Sequence, residues 1–167
     1  MALQDEVAAL TNGAHFLRAD LHIHSFGESG SYDVKDAGMT PEAIVDAATA
    51  ENLKVIAIAD HNAIGNVARA LKHAEGKHVL VVPAVELSTP QGHLLIYCPT
   101  LDKLQRFFGK LNLSADKKAC RESMSQCLEL AEPFLFSARC FFINVVINSL
   151  SDVSVDDLTG CQIAPAA

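Results

Sequence analysis

The sequence has five cysteines in 167 residues, at 98, 120, 127, 140 and 161, with no C-x-x-C pair among them. An odd, scattered set excludes a disulfide framework, and the start of the chain lacks a basic segment followed by an apolar one. Reduced thiols in a cytoplasmic protein are the expectation. Runs of five like charges are also missing. With 13 basic against 20 acidic side chains and a net charge of −7, an extended nucleic-acid groove is excluded as the main device. Cations could still bring phosphate to so acidic a chain. The most apolar stretch, residues 134–147, is interrupted by Arg139 and falls short of the ~20 residues of a membrane helix. No membrane partner is expected. There is no glycine-rich phosphate loop, no G-x-S-x-G and no dinucleotide fingerprint, so nothing advertises a nucleophilic serine or a nucleotide cofactor.

What is present suits one cored domain: half the residues are hydrophobic and a fifth are charged. The first fourteen residues read as a short helix ending at Asn12-Gly13. Leu17, Ala19, Leu21 and Ile23 alternate with polar residues, which is the period of a strand. Thr40-Pro41-Glu42 starts a helix, with a hydroxyl N-cap, proline at the first helical position and an acid in the first turn. Ile44, Ala47, Ala48 and Glu51 follow at helical spacing. Residues 55–59 form a nearly all-apolar run, as in a parallel strand covered on both faces. Ile64, Val67, Ala68 and Leu71 give a second amphipathic helix that stops at Gly76. Residues 79–82 and 94–97 read as further strands, and Leu101, Leu104, Phe107 and Phe108 as a short helix. Ser114 is expected to cap a longer helix with a buried stripe of Cys120, Met124, Cys127, Leu128 and Ala131, ended by Pro133. Residues 141–147 could add one more buried strand. Such alternation predicts an α/β domain of parallel strands with flanking helices.

Three segments at or near the ends of predicted strands carry metal-type ligands. The first is Asp20-Leu21-His22-Ile23-His24. In a strand, two histidines two residues apart share a face at about 7 Å along the chain and can converge on one cation. The second is Asp60-His61-Asn62, directly after the apolar run. The third is Glu86, closing a strand over residues 79–85, with His93 opening the next strand. Neutral imidazole with carboxylate suits zinc, manganese or ferrous iron. In parallel α/β sheets and barrels, ligands gather at the carboxyl ends of strands, so the three segments should face one another. His15, His73 and His78 lie outside this pattern and read as ordinary surface or core histidines.

Residues 20–25 (Asp-Leu-His-Ile-His-Ser), residues 56–62, and Pro83-Ala84-Val85-Glu86 with Gly92-His93-Leu94-Leu95 resemble the first three motifs of the PHP (polymerase and histidinol phosphatase) domain. The resemblance spans residues 16–98, and the helix opening at Thr40 also looks like that family's linker. It implies a distorted (β/α)7, TIM-like barrel with up to three divalent metals at its mouth. By motif position, His22 and His24 would bind one metal and His61 another. Glu86 would bridge two, and His93 would ligate beside it. Asp33 is the best candidate for the ligand that follows the first motif in its loop. Asp20 and Asp60 would orient ligands from behind, as carboxylates do for metal-bound imidazoles. Ser25 and Ser88 are possible phosphate contacts.

The implied activity is that of a hydrolase: a phosphoesterase in which a metal-bound water, rather than a protein nucleophile, attacks a small phosphomonoester or a nucleotide end. The sequence departs from the family in one respect. The later motifs supply another histidine and an Asp-x-His pair, whereas the last histidine here is His93. The expectation is therefore an incomplete, truncated barrel. A PHP-like metal-binding domain would occupy residues 15–133, and a divergent tail residues 134–167. Such a chain would hold fewer metals and could self-associate through exposed strand edges. The alternative is a non-catalytic metal-binding or regulatory module that lacks the late ligands.

Overall fold

The computed structural model describes residues 17–135 and 145–146. The helix expected in the first fourteen residues, and the tail beyond residue 146, lie outside the described residues. The described chain is mixed α/β. Its elements are β1 (Ala19–Ile23), α1 (Pro41–Ala50), β2 (Val55–Ile58), α2 (Gly65–His73), β3 (Leu80–Thr89), β4 (Gly92–Tyr97), α3 (Leu101–Phe108), α4 (Met124–Ala131), a 3-10 turn (Glu132–Phe134) and β5 (Val145–Val146). The five strands form one curled sheet in sequence order.

The first three strands are parallel and joined by α1 and α2. The remaining pairs correct the all-parallel expectation. β3 and β4 form an antiparallel hairpin, with Thr89 opposite Gly92, and β5 adds antiparallel to β4. The reason is connection length: only Pro90 and Gln91 separate β3 from β4, whereas a parallel return needs a crossover of a dozen residues or more. Gly92 takes φ +135°, a conformation that favours glycine, as the chain re-enters the sheet. The hairpin also extends β3 well past residue 85, so Glu86 lies within the strand opposite Leu95 instead of closing it.

Alternation along the strands sorts side chains onto two faces. On the outer face, Ile56, Ile58 and Val81 pack with Ile44, Val45 and Ala48 of α1 and with Ala70 of α2. Farther along, Val85, Leu87, Leu94 and Ile96 meet Leu104 and Phe107 of α3 and Met124, Cys127 and Ala131 of α4. The helical stripes differ in detail from their expected course, because Val45 and Ala70 are buried while Ala47 and Ala68 are exposed. The inner face is lined by small residues, Ala57, Ala59 and Ala84, beside Leu95 and Tyr97.

The long helix expected from Ser114 is also corrected. α4 begins at Met124, where Ser123 and Gln126 form a capping box. Upstream, Lys117 has φ +56°, which no helix accommodates, and the Ser114 hydroxyl accepts from the Ala119 amide at 3.0 Å. Cys120 still reaches the core from this loop, and its amide donates to the Ser88 carbonyl at 2.8 Å. Among the described residues, no helix is long and apolar enough to cross a membrane.

Phe107 is fully buried, with its ring 6.4 Å from that of Phe134. Phe107→Ala is expected to cost about 3–5 kcal/mol, the usual loss for deleting a core phenylalanine. Urea unfolding should show a lower midpoint at unchanged slope, and an unchanged midpoint would show that Phe107 does not anchor this core.

Candidate metal centre

β1 does not run regularly beside β2. Asp20 pairs with Ile56 and Ile23 with Ile58, so three steps on β1 oppose two on β2 and the strand bulges. Bulges re-aim side chains. Leu21 turns to the inner face while Ile23 packs with the outer cluster, and the His22 and His24 rings converge with Nε2 atoms 3.1 Å apart. Nothing in the period-two pattern of this segment shows the bulge.

Both Nε2 atoms meet the same oxygen. Glu86 Oε2 lies 2.8 Å from His22 and 2.7 Å from His24, while Glu86 Oε1 lies 2.9 Å from His93 Nδ1. His61 approaches with Nδ1 3.6 Å from Glu86 Oε2. Asp33 completes the group, with Oδ2 3.2 Å from His24 Nδ1 and 3.9 Å from His61 Nε2. The structure thus brings together all six candidate ligands: His22, His24, Asp33, His61, Glu86 and His93. They fall into three adjoining triads, His22–His24–Glu86, His24–Asp33–His61 and His61–Glu86–His93.

The other predicted residues sit differently. Asp20 is exposed and accepts from the His22 amide at 3.2 Å, so it braces the backbone of β1 and no imidazole. Asp60, fully buried, accepts from the Ser25 amide at 2.5 Å and the Ser25 hydroxyl at 2.6 Å. Ser25 is itself fully buried, and its hydroxyl also accepts from Asn66 at 2.9 Å. It therefore lies behind the cluster, with no face open to a phosphate. The Ser88 hydroxyl lies 3.1 Å from His61 Nδ1 and fixes that ring instead of facing outward.

Sequence reasoning missed Asn62 and Tyr32. Asn62 is buried with φ +48°, a left-handed conformation that asparagine tolerates better than most residues. Its amide donates to the Glu86 carbonyl at 2.8 Å. Its side chain accepts from the Ser88 amide at 3.0 Å and donates to the Lys117 carbonyl at 3.1 Å. Position directly after a ligand was the only available signal. Tyr32 stacks on His61, ring centres 5.1 Å apart, and is 41% exposed, so it walls one side of the cluster.

Charge follows the same geometry. Burial alone would raise the Glu86 carboxyl, but hydrogen bonds from His24 and His22 and the charge of His61 outweigh it and hold the group at about 2. Burial pushes the Asp60 carboxyl up to about 6, against the two bonds from Ser25. Burial also pushes the His61 imidazole down, while for His24 the bonds to Glu86 and Asp33 outweigh burial and raise it.

The donor set fits a divalent cation. Two Nε2 atoms aimed at one carboxylate oxygen and at each other cannot all be satisfied by protons without crowding two N–H groups together. A cation among the three lone pairs satisfies them at once, and imidazole with carboxylate is the ligand chemistry of zinc and its first-row neighbours.

No protein-family model matches the chain, and no curated protein matches it. Several solved structures are similar over part of it, among them the following two. An amidohydrolase from Chromobacterium violaceum, solved with bound sulfate and no metal, is 26% identical at a TM-score of 0.42, over 55% of this chain and 32% of that one. A protein assigned as a metal-dependent phosphoesterase from Bifidobacterium adolescentis is 16% identical at a TM-score of 0.43, over 71% of this chain and 51% of that one. The chain spans about a third and about half of the lengths of these two neighbours.

Asn62 yields a stability test. Asn62→Ala leaves the Ser88 amide and the Lys117 carbonyl without their partner, at about 1–3 kcal/mol per buried group, and keeps a Cβ in the left-handed region. Asn62→Gly loses the same bonds but relieves the backbone, so it should be the milder change by about 1 kcal/mol. Urea unfolding of both variants checks the order, and equal losses would remove the backbone part of the argument.

Proposed function

We propose that this chain is a metal-dependent hydrolase of phosphate esters, built on an incomplete β/α barrel of the PHP type. The reading is carried by Glu86. It is a carboxylate only 1% exposed whose two oxygens face imidazoles from β1, from the loop after β1 and from β4. Taking a carboxylate out of water is costly unless charge is returned to it, and convergent imidazoles return it best by sharing a cation. The choice of phosphate ester is supported by the PHP-like motifs at residues 20–25, 56–62 and 83–95. A small phosphomonoester or a nucleotide end is the substrate class in this reading.

When bound, divalent ions such as manganese, zinc or iron supply a water of lowered pKa and positive charge for the phosphoryl oxygens. The chain's own residues do the placing. His22, His24 and Glu86 hold one end of the centre, and His61, Glu86 and His93 the other. Asp60, through Ser25, fixes the start of the loop that carries Asp33, and Asn62 ties His61 to β3. Neither serine is placed to attack a substrate, since Ser25 is buried and the Ser88 hydroxyl is engaged with His61.

A second reading, in which the chain holds metal without turnover, is favoured by one observation: residues 94–167 contain no histidine. One experiment separates the two. Hydrolysis of p-nitrophenyl phosphate should require added Mn²⁺ or Zn²⁺ and stop on exhaustive chelation. The His22→Ala/His24→Ala double variant should lose at least one metal equivalent and fall to the chelated rate. Full activity after chelation defeats the proposed mechanism, while metal uptake without turnover selects the second reading.

A further inference from the structure

Resting on the metal reading above, we infer that Asp33 is a positioning residue that presents His24 to the metal centre, and that it is not itself a metal ligand. The argument is one of donor atoms. A neutral imidazole has one ring nitrogen with a free lone pair and one that carries a proton. The nitrogen of His24 that meets Glu86 Oε2 and His22 Nε2 is Nε2, at 2.7 and 3.1 Å. If Nε2 ligates, Nδ1 carries the proton. It then has one acceptor within hydrogen-bonding distance among the described residues, Asp33 Oδ2 at 3.2 Å.

Asp33 is built for that role. Its other oxygen accepts from the Ser31 hydroxyl at 2.5 Å, and that hydroxyl in turn accepts from the His61 amide at 3.2 Å. Ser31 is anchored by its own amide, which donates to the Ser25 carbonyl at 2.9 Å. The carboxylate is therefore fixed from the site of the second ligand segment while it holds a ring of the first. This is the carboxylate–histidine–metal arrangement that sets tautomer and ring orientation.

The same arithmetic decides between the triads. His22–His24–Glu86 and His61–Glu86–His93 share only Glu86, which has two oxygens to give. The triad His24–Asp33–His61 needs a second lone pair from His24, which the neutral ring lacks, so it cannot act as a full triad beside the first. Among the described residues, two groups of candidate ligands thus meet at Glu86, and the third triad is left as the brace of the first.

The test is zinc binding, read by elemental analysis, chelator competition and the ¹⁵N shifts of the histidine rings. The wild-type chain should take up two equivalents, with His24 as the Nδ1–H tautomer. Asp33→Ala should still take up two, with the affinity of one lowered by about 10–100-fold and the His24 Nδ1–H signal lost or shifted. Asp33→Asn keeps an acceptor for Nδ1–H and should recover most of that affinity. Asp33 is 45% exposed at its side chain, so both variants should unfold at the wild-type temperature, which a melt checks. Loss of a whole equivalent in Asp33→Ala, with the other site unchanged and Asp33→Asn failing to rescue, shows Asp33 to be a ligand and overturns the inference. A wild-type chain that binds no zinc overturns the metal reading itself, and the role of Asp33 with it.

Discussion

The arrangement of this molecule depends on one buried carboxylate. Glu86 is 1% exposed, yet it lies beside an inner-face cluster of Ala57, Ala59, Ala84, Leu95 and Tyr97. An ionised carboxylate in such a place is costly unless opposite charge or strong donors surround it. The chain supplies them from three segments: His22 and His24 at the end of β1, His61 just after β2, and His93 on β4. Each segment reaches Glu86 because β3 is central, parallel to β2 on one side and antiparallel to β4 on the other. The outer-face packing of α1 to α4 holds those strands in register, and the register in turn sets the donors.

Behind the imidazoles runs a second, fully buried layer that carries no ligand. Asp60 accepts twice from Ser25, Asn66 donates to the Ser25 hydroxyl and to the Phe26 carbonyl, and Asn62 spans Glu86, Ser88 and Lys117. No buried side-chain polar atom among the described residues lacks a partner. Satisfied networks of this kind rigidify the groups they touch, since every alternative arrangement leaves a donor or acceptor bare in a poorly solvated place. The cluster is therefore held by the backbone positions next to each histidine as much as by the histidines themselves.

Much of this was legible in the residues. The His-x-His pair, the Asp-His after an apolar run and the Glu86–His93 spacing brought the candidate ligands to one place, because strand period and strand order convert such spacings into proximity. The start of α1 was legible from Thr40, whose hydroxyl does accept from the Ala43 amide. What could not be read was whatever two distant segments decide between them. The bulge in β1 exists only against β2, and the burial of Ser25 follows from Asp60 and Asn66. The direction of β4 was in the sequence as the Pro90-Gln91 spacing, but the α/β alternation before it suggested a parallel strand. Ser114 looked like a helix cap because its neighbours share a helical period. The stronger capping box at Ser123 and the left-handed Lys117 placed the helix start later.

The β3–β4 hairpin gives the centre an order of assembly. Glu86 and His93 are joined by a two-residue turn, so their meeting costs little loop-closure entropy and arises with the hairpin itself. His22 comes to Glu86 across a separation of 64 residues, which must wait for α1, β2 and α2 to lay β1 against the sheet. Pairings that distant in sequence form late in folding. An ion that meets the folding chain would thus find Glu86 and His93 already together on a local scaffold, with the ligands of β1 the last to arrive.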